Sequence, residues 1–406
     1  MVRIGIAHLK STMKKRILFI SFYYGPDLCA GSFRVTPLVR ALRDLAPEDV
    51  EIEVLTTMPN RYATFQHPQP NQEESPKEGL RITRLRLPQH RNGMRDQAKS
   101  FLAFALGVWR HVRGKRYDLV AASSSRLMTA VLASQVASIK KARLYLDIRD
   151  IFVENMEDVV PYGLFRMVRP LFVGLERWAY RRADRINLIS PAFIDYFTPL
   201  TKARLSTHTN GIDEEFLGMS PTLEVPAKRN GILKITYAGN IGEGQGLEQV
   251  LPRLAVLLQG RAQFEVIGDG GRRRQLQAGL VKQKINNVEW HPPMERSKLL
   301  AKYREADVLF LHLNNYPAFR RLLPSKVFEY AATGKPIWAG LCGFSKEFAK
   351  KSIENCAVFE SGNIKEAAES FSELILESQA RTTFVEKFRR QNIDKEMARD
   401  ILGLIR

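Results

Sequence analysis

Short apolar runs separated by longer amphipathic stretches recur along the whole chain. Such runs are typical of strands that are buried on both faces of a parallel sheet. In the first half they predict six strands, at residues 16–21, 50–56, 80–87, 119–122, 142–146 and 186–189. Helical patterns separate most of these runs, so the first half is predicted to be a doubly wound α/β domain.

The same alternation starts again at residue 232, after a polar stretch at 220–230 that is typical of a linker or a domain edge. Six further strands are predicted, at residues 232–238, 263–267, 288–291, 308–313, 336–339 and 357–359. The charged stretch 380–405 predicts a helix or a helix pair. We therefore expect two wound domains, at 14–211 and 212–379, followed by a helical segment at 380–406.

Residues 1–13 precede the first strand and are expected to form an N-terminal extension. Met13 stands directly before Lys14, so a start at Met13 is an alternative to a start at Met1. We expect this extension to be weakly ordered or to be a misassigned beginning.

The composition supports two full hydrophobic cores and excludes several classes of protein. With 406 residues, of which 45% are hydrophobic, the chain is neither disordered nor fibrous. Three cysteines without a C-x-x-C pattern predict no disulfide framework, which favours a reducing, cytoplasmic compartment. The longest uncharged apolar stretch, Phe101 to Trp109, is much shorter than the roughly 20 residues that cross a bilayer, so no spanning helix is expected.

The charge of the chain predicts an anionic partner. Lysine and arginine number 62 against 43 acidic residues, which gives a formal net charge of +19. Nucleic acid, anionic lipid and phosphorylated substrates all fit such a charge. No RNP, KH or zinc-finger pattern is present, so we expect no nucleic-acid binding.

Two glycine-rich loops follow predicted strands of the second domain. The stretch 237–247 places Gly239, Asn240 and Gly242 before a predicted helix, where free backbone amides suit a diphosphate. An ordinary tight turn is the alternative. In the stretch 266–274, Gly268 is followed by Arg272 and Arg273, whose guanidinium groups could hold phosphate oxygens. A solvated basic helix face is the alternative for each arginine.

Two further motifs carry charged residues in the predicted cleft. Lys326 and Glu329 lie three residues apart on one face of a predicted helix, which suits a lysine that holds phosphate and a carboxylate that accepts ribose hydroxyls. A simple i,i+3 ion pair is the alternative. Asp147, Arg149 and Asp150 end a predicted strand and are candidates for chemistry there. A buried structural ion pair is the alternative for Asp147.

Together these residues resemble the family 4 glycosyltransferases of the GT-B fold. The resemblance is carried by the loop 25–31, by Asp147 to Asp150, by Thr209 to Asp213, and by the stretches 237–247, 268–273 and 324–336. The chain is most similar to the subgroup that builds bacterial O-antigen and capsule with N-acetylated amino sugars. The resemblance covers the chain from Lys14 onward.

The resemblance implies a fold and a reaction. Two Rossmann-like doubly wound domains would face each other across a cleft, the first receiving the acceptor and the second binding a nucleotide-sugar. The segment 380–406 would pack back toward the first domain. The implied enzyme is a retaining glycosyltransferase that uses a UDP-sugar and needs no metal or other cofactor, in agreement with the lack of a D-x-D motif. The implied acceptor is a glycan or a polyprenyl-diphosphate-linked sugar.

The resemblance also assigns residues to the two sides of the cleft. Glu329 would hold the ribose, Lys326 and the loop amides would hold the diphosphate, and the loop ending at Met294 would meet the base. The implied donor set is Gly31, Gly239, Asn240, Gly242, Gly268, Arg273, Met294, Arg321, Ser325 and Glu329. On the acceptor side we expect Gly25, Ser124, Asp147, Arg149 and Asn210.

Three departures from the family pattern draw attention to other residues. The family pairs two glutamates eight residues apart, and the first of them is replaced here by Arg321, which we hypothesise could pair with an acidic sugar such as a uronic acid. Asn240 and Gln245 replace a phosphate-clamping arginine and lysine, and Arg320 with Arg321 would compensate. The family histidine in the first domain is replaced by serines, among them Ser124.

The expected catalytic residues follow from the charge that the reaction develops. Cleavage of the anomeric bond builds negative charge on the leaving diphosphate, and cations placed in advance stabilise that charge. We expect Lys326, Arg272 and Arg320 to act in this way, with Asp150 as a further catalytic candidate. No nucleophile is evident, which suits a same-face mechanism in which the leaving phosphate takes the acceptor proton.

Two stretches of the first domain, 99–116 and 162–185, combine apolar residues with clustered cations. They predict helices that lie on an anionic membrane, which would place the protein at the inner face of the cell membrane. A core helix with a solvated basic edge is the alternative.

For the activity, a nucleotide-sugar epimerase of similar fold is an alternative, although the seven histidines do not cluster in acid–base motifs.

Overall fold

The computed structural model of the chain describes residues 14–27, 29–59, 73–77, 79–88, 94–124, 126–159, 162–219 and 231–406. The expected extension at 1–13 and the expected linker at 220–230 lie outside these ranges. The described chain forms two α/β domains, each built on one sheet.

The first domain contains an eight-stranded sheet. Its strands are β1 (Lys15–Ile20), β2 (Val50–Thr57), β3 (Glu73–Lys77), β4 (Leu80–Leu85), β5 (Leu119–Ser124), β6 (Arg143–Ile148), β7 (Arg185–Leu188) and β8 (Arg204–Ser206). Their order is β3-β4-β2-β1-β5-β6-β7-β8, and every neighbouring pair is parallel except β3 with β4. The apolar runs predict six of these strands and miss β3 and β8.

Helices cover both faces of this sheet. They are α1 (Ala30–Leu45), α2 (Met94–Val112), α3 (Leu127–Lys140), α4 (Phe152–Val159), α5 (Tyr162–Arg182), the 3-10 helix η1 (Pro191–Phe193) and α6 (Ile194–Phe197). The next helix along the chain, α7 (Glu214–Leu217), packs in the core of the second domain. The apolar stripe of α1, formed by Val35, Leu38, Val39 and Leu42, is fully buried against the sheet. Such a stripe at helical spacing is what holds a helix on a sheet.

The second domain contains a six-stranded, entirely parallel sheet. Its strands are β9 (Leu233–Ala238), β10 (Ala262–Ile267), β11 (Val288–His291), β12 (Val308–His312), β13 (Ile337–Leu341) and β14 (Cys356–Glu360), in the order β11-β10-β9-β12-β13-β14. The helices are α8 (Leu247–Leu257), α9 (Arg273–Lys282), α10 (Arg296–Glu305), the 3-10 helix η2 (Pro317–Arg321), α11 (Ser325–Ala332), α12 (Gly343–Ser352), α13 (Ile364–Ser372) and α14 (Thr382–Lys387), and the last helix of the chain, α15 (Arg390–Leu402), packs on the first domain. All six strands lie where the apolar runs predict them.

The strand order of each sheet reverses direction at one point, between β1 and β5 in the first domain and between β9 and β12 in the second. Ligands of open parallel sheets bind outside the carboxyl ends of the strands at such points. The loops that follow β1, β5 and β6, together with those that follow β9, β10 and β12, therefore form the two walls of the candidate site.

The chain crosses between the domains at two paired segments. The amide of Ile212 donates to the carbonyl of Phe388 (2.8 Å), and the amide of Arg390 donates to the carbonyl of Ile212 (2.9 Å). A Cβ at Gly211 would lie 2.6 Å from the Cα of Arg390, so the close crossing requires glycine there. Beyond it, α15 packs on α1 of the first domain, whereas α14 belongs to the core of the second.

Candidate functional site

The two glycine-rich loops of the second domain touch each other through their backbones. Gly268 has a φ of +149°, a conformation that favours glycine. A Cβ at Gly268 would lie 1.9 Å from the carbonyl oxygen of Gly239. The loop after β10 is therefore fixed directly against the loop after β9.

The loop after β9 is stabilised from within by a glutamine. The Gln245 Oε1 atom accepts hydrogen bonds from Asn240 Nδ2 (2.9 Å) and from the amide of Gly242 (3.3 Å). Below the loop, the ring of the buried His312 contacts the carbonyl of Gln245 (2.7 Å), and burial lowers the pKa of His312 to about 4. Asn240 and Gln245 therefore order this loop through their amide groups.

The two arginines expected at the start of α9 both have acidic neighbours. Arg272 donates to Glu243 across 2.7 Å, and this hydrogen bond raises the pKa of the guanidinium above its ordinary value. Arg273 lies 3.3 Å from Asp269 and stacks over the ring of Trp290, with 4.7 Å between the guanidinium carbon and the ring centroid. Each arginine therefore lies beside a loop of the second-domain wall with a carboxylate already in contact.

Lys326 and Glu329 form an i,i+3 ion pair, which the sequence analysis gave as the alternative for these two residues. The Lys326 ammonium lies 2.6 Å from Glu329 Oε2 and donates to the Tyr303 hydroxyl (3.1 Å). Burial alone would lower the pKa of Lys326, but the Glu329 carboxylate raises it above its ordinary value. The lysine therefore keeps its charge at the start of α11, one residue after Ser325.

The η2 segment extends from the second domain toward the first. Arg320 is exposed and donates from Nε to Asn315 Oδ1 (2.9 Å). Arg321 forms an ion pair with Glu154 of the first domain, and its carbonyl accepts a hydrogen bond from the buried Ser190 hydroxyl (2.7 Å). Arg321 therefore connects the two walls of the site.

Asp147, expected on the acceptor side, lies in the interior and not on the cleft surface. Its carboxylate is fully buried and accepts two hydrogen bonds from Arg34, one from Ser123 and one from Asn187, all of 2.8 Å. Burial alone would raise the pKa of Asp147, but the Arg34 guanidinium lowers it below its ordinary value. Asp147 therefore forms the buried ion pair that the sequence analysis gave as the alternative. An acceptor cannot reach this carboxylate.

Arg149 and Asp150 lie at the carboxyl edge of β6, beside the start of α1. A Cβ at Gly31 would lie 3.2 Å from Arg149 Nη1, so the small residue leaves room for that side chain. Burial raises the pKa of Asp150 to about 6, and the nearby Arg149 opposes this rise. Asp150 is therefore a carboxyl group whose charge changes near neutral pH in the first-domain wall.

The remaining predicted residues make local contacts within their loops. The amide of Gly25 donates to the Thr36 hydroxyl (2.9 Å), and the Ser124 hydroxyl donates to the carbonyl of Arg126. The carbonyl of Asn210 accepts from the Thr209 hydroxyl (3.0 Å), and Met294 packs against the core of the second domain. These contacts shape the loops and leave the assignment of the residues to a substrate as a prediction.

Sequence reasoning missed three charged residues that the structure places at or near the site, namely Arg34, Glu154 and Arg296. Arg296 pairs with Asp213 and Glu215, and its guanidinium lies 5.0 Å from the centroid of the Phe33 ring in the first domain. The role of Arg34 could have been predicted, because an arginine on the apolar face of a predicted helix requires a buried partner. No sequence pattern indicated a role for Glu154 or Arg296.

Within the described residues, one group of side chains has the spacing of a metal site. It comprises Glu265, Glu289 and His291. Glu265, however, already contacts Lys302 (2.7 Å) and Lys234 (3.2 Å), whose charges oppose the binding of a cation. We therefore assign no metal to this group.

The described helices include none that is long and apolar enough to cross a bilayer.

Sequence comparison identifies both halves of the chain. A family described as "Glycosyl transferase 4-like domain" matches residues 32–206, and a family described as "Glycosyl transferases group 1" matches residues 223–391. A putative colanic acid biosynthesis glycosyl transferase, WcaI of Escherichia coli (strain K12), is 25% identical over 214 residues, which are 49% of this chain and 51% of that protein. The match therefore spans about half the length of this relative.

Solved structures share the whole architecture at low sequence identity. A sucrose-phosphate synthase from Thermosynechococcus elongatus superposes with a TM-score of 0.73 at 15% identity and covers 96% of this chain and 99% of that one. Anabaena HepE, in complex with UDP and glucose, superposes with a TM-score of 0.66 at 17% identity and covers 96% of this chain and 100% of that one. These similarities establish the fold. With the two family matches, they show that the chain belongs to the GT4-type glycosyltransferases with the GT-B fold.

Proposed function

We propose that this chain is a retaining, metal-independent glycosyltransferase. It takes a sugar, for which we favour an N-acetylated amino sugar, from a UDP-sugar and transfers it to a lipid-linked or polysaccharide acceptor of the bacterial surface. The observation that carries the proposal is the Lys326–Glu329 pair at the start of α11, in the same wall as the Gly239 and Gly268 loops.

The second-domain wall has the chemistry that a nucleoside diphosphate requires. Lys326 keeps a positive charge, and the glycine loops allow a close approach of the backbone to phosphate oxygens. Glu329 offers a carboxylate to ribose hydroxyls. The Anabaena HepE structure contains UDP and glucose, which supports a UDP-linked donor.

The proposed reaction uses these residues to stabilise the leaving group. The bond between the anomeric carbon and the diphosphate oxygen breaks, and a bond from that carbon to the acceptor hydroxyl forms on the same face of the sugar. The acceptor proton passes to the leaving phosphate oxygen. Lys326, Arg272 and Arg320 supply the positive charge that this diphosphate needs, without a metal ion.

The surface of α5 supports an acceptor that is held at a membrane. Met167, Leu171 and Trp178 are 72%, 63% and 43% exposed, and their spacing places them along one side of the helix. Exposed arginines flank this stripe, at Arg166, Arg169, Arg177 and Arg181. An apolar stripe with a basic border suits the inner face of an anionic membrane. The colanic acid assignment of WcaI agrees with a role in surface glycans.

The test of this proposal is product formation. The purified chain is incubated in EDTA with UDP-N-acetylglucosamine, UDP-N-acetylgalactosamine or UDP-glucose and with a bacterial lipid extract. We expect a glycolipid product whose anomeric configuration matches that of the donor by NMR. Isomerisation of the nucleotide-sugar without transfer would contradict the proposal and favour an epimerase, and an inverted product would contradict the retaining mechanism.

A further inference from the structure

Arg126 lies in the loop after β5, which is one of the loops of the first-domain wall. It follows the carboxyl end of β5 and directly precedes α3. Its guanidinium carbon lies 4.8 Å from the ring centroid of Phe22 and 5.8 Å from that of Tyr23, and Nη2 donates to the Tyr23 hydroxyl (3.2 Å). Phe22 and Tyr23 follow β1, the neighbour of β5. The two rings and the hydroxyl therefore hold the cation in a defined place.

No carboxylate of the described residues neutralises the charge of Arg126. Most cations of the two walls have a carboxylate partner: the pairs are Arg272–Glu243, Arg273–Asp269, Arg296–Asp213, Arg321–Glu154 and Lys326–Glu329. Within the part of the chain that the structure describes, Arg126 and Arg320 form no ion pair. Arg320 belongs to the donor side, and Arg149 of the first-domain wall lies beside Asp150. Among the described residues, Arg126 is therefore a cation of the first-domain wall that has no carboxylate beside it.

An apolar surface begins beside Arg126. The ring of Phe22 stacks on that of Phe101 of α2, with 6.4 Å between centroids. The next residue, Leu102, is 60% exposed, and Leu106 one turn later is 47% exposed. A ligand that lies along these residues and reaches Arg126 would have an apolar part next to an anionic group.

We propose that Arg126 binds the phosphate or diphosphate of an amphiphilic acceptor. This inference rests on the proposed function and adds to it the residue that recognises the acceptor's charge. An arginine held by aromatic rings keeps its donors free for phosphate oxygens and loses little conformational entropy on binding. Arg126 therefore distinguishes a phosphorylated lipid from its uncharged alcohol.

The experiment measures binding to the full chain by isothermal titration with saturating UDP, so that the donor's own diphosphate site is filled. The probes are farnesyl diphosphate, farnesol and inorganic diphosphate. We expect farnesyl diphosphate to bind at least about tenfold more tightly than farnesol, and inorganic diphosphate to compete with it. Arg126→Gln should abolish this preference, and Arg126→Lys should keep part of it.

Two controls distinguish a failure of this inference from a failure of the proposed function and from misfolding of a variant. Arg113→Gln removes the same charge from an exposed site just after the end of α2 and should leave all affinities unchanged. UDP binding should be the same in every variant, which shows that each is folded. Equal binding of farnesyl diphosphate by Arg126→Gln and the unmodified chain would overturn the inference, as would equal binding of farnesol. A failure of UDP to bind the unmodified chain would instead contradict the proposed function.

Discussion

Arg321 of the second domain forms an ion pair with Glu154 of the first, across the cleft between the two sheets. The Ser190 hydroxyl holds the backbone of Arg321 from the same side, and the next residue, Leu322, packs against the cores of both domains. The second oxygen of Glu154 is buried and has no hydrogen-bond partner in the part of the chain that the structure describes. Arg321 therefore contributes to the contact between the domains, and its charge is matched by a protein carboxylate.

If this ion pair sets the separation of the two walls, its two members should act as a unit. Arg321→Ala and Glu154→Ala should each lower kcat/KM for transfer about twofold, and the double variant should be no worse than either single one. The expected coupling is about 0.5 kcal/mol, because both side chains are partly exposed to solvent. Lys365→Ala, which removes one member of an exposed pair on α13, is the control. Additive losses in the double variant would show that the two residues act separately.

The contact between the two glycine loops predicts a strong effect of one methyl group. Gly268→Ala would place a Cβ against the carbonyl of Gly239 and force a positive φ on alanine, at a cost of about 2 to 4 kcal/mol. We expect a lower Tm and a loss of UDP binding. Gly271→Ala, where a Cβ would meet no atom within 4 Å, should change neither. An unchanged Tm in Gly268→Ala would contradict this account of the loops.

A buried carboxyl group in α15 predicts how stability depends on pH. Asp394 is 2% exposed, neither of its oxygens has a hydrogen-bond partner among the described residues, and burial raises its pKa to about 7 against the opposing charges of Arg390 and Arg34. Because the folded-state pKa lies above the unfolded one, near 4, the contribution of this group to stability is lost as pH rises from about 4 through 7.

Asp394→Asn removes the ionisation that burial opposes. The variant should therefore gain stability relative to the unmodified chain at pH 8, on the order of 1 kcal/mol or more, and should gain less at pH 5. Thermal unfolding at the two pH values measures the difference. Asp195→Asn, at an exposed site, should show no such dependence. A gain that is equal at both pH values would mean that Asp394 is not the titrating group.

The exposed stripe of α5 predicts a site of membrane contact. Leu171→Asp should weaken binding to vesicles of phosphatidylcholine and phosphatidylglycerol by about tenfold or more, since burial of one leucine side chain is worth roughly 1.5 to 3 kcal/mol. Flotation with vesicles measures this. Ile139→Asp changes an equally exposed apolar residue outside α5 and serves as the control. The same loss in both variants would exclude a specific role for α5.

The parts of the fold that follow from local pattern were predictable. The apolar runs of β1 and β9 predict strands because parallel strands are buried on both faces. β3 and β8 were missed because the edge segment Glu73–Lys77 is polar and β8 has only three residues. The pairs that define the site are not local: Arg34 and Asp147 are 113 residues apart, and Arg321 and Glu154 are 167 apart. The sequence can indicate candidate residues, but only the folded chain shows which of them are in contact.

The most direct test of the central claim is the binding of UDP in the presence of EDTA, measured as the stabilisation of the chain against thermal unfolding. UDP at about 100 times its dissociation constant should stabilise the unmodified chain by about 2.7 kcal/mol, and GDP, ADP and NAD should stabilise it less. Lys326→Ala should bind UDP about 10- to 100-fold more weakly, because it removes a charge-assisted hydrogen bond to phosphate. Lys298→Ala, at an exposed site on α10, should behave like the unmodified chain. No stabilisation by UDP, or equal stabilisation of Lys326→Ala, would contradict the assignment of the second-domain wall to a UDP-sugar.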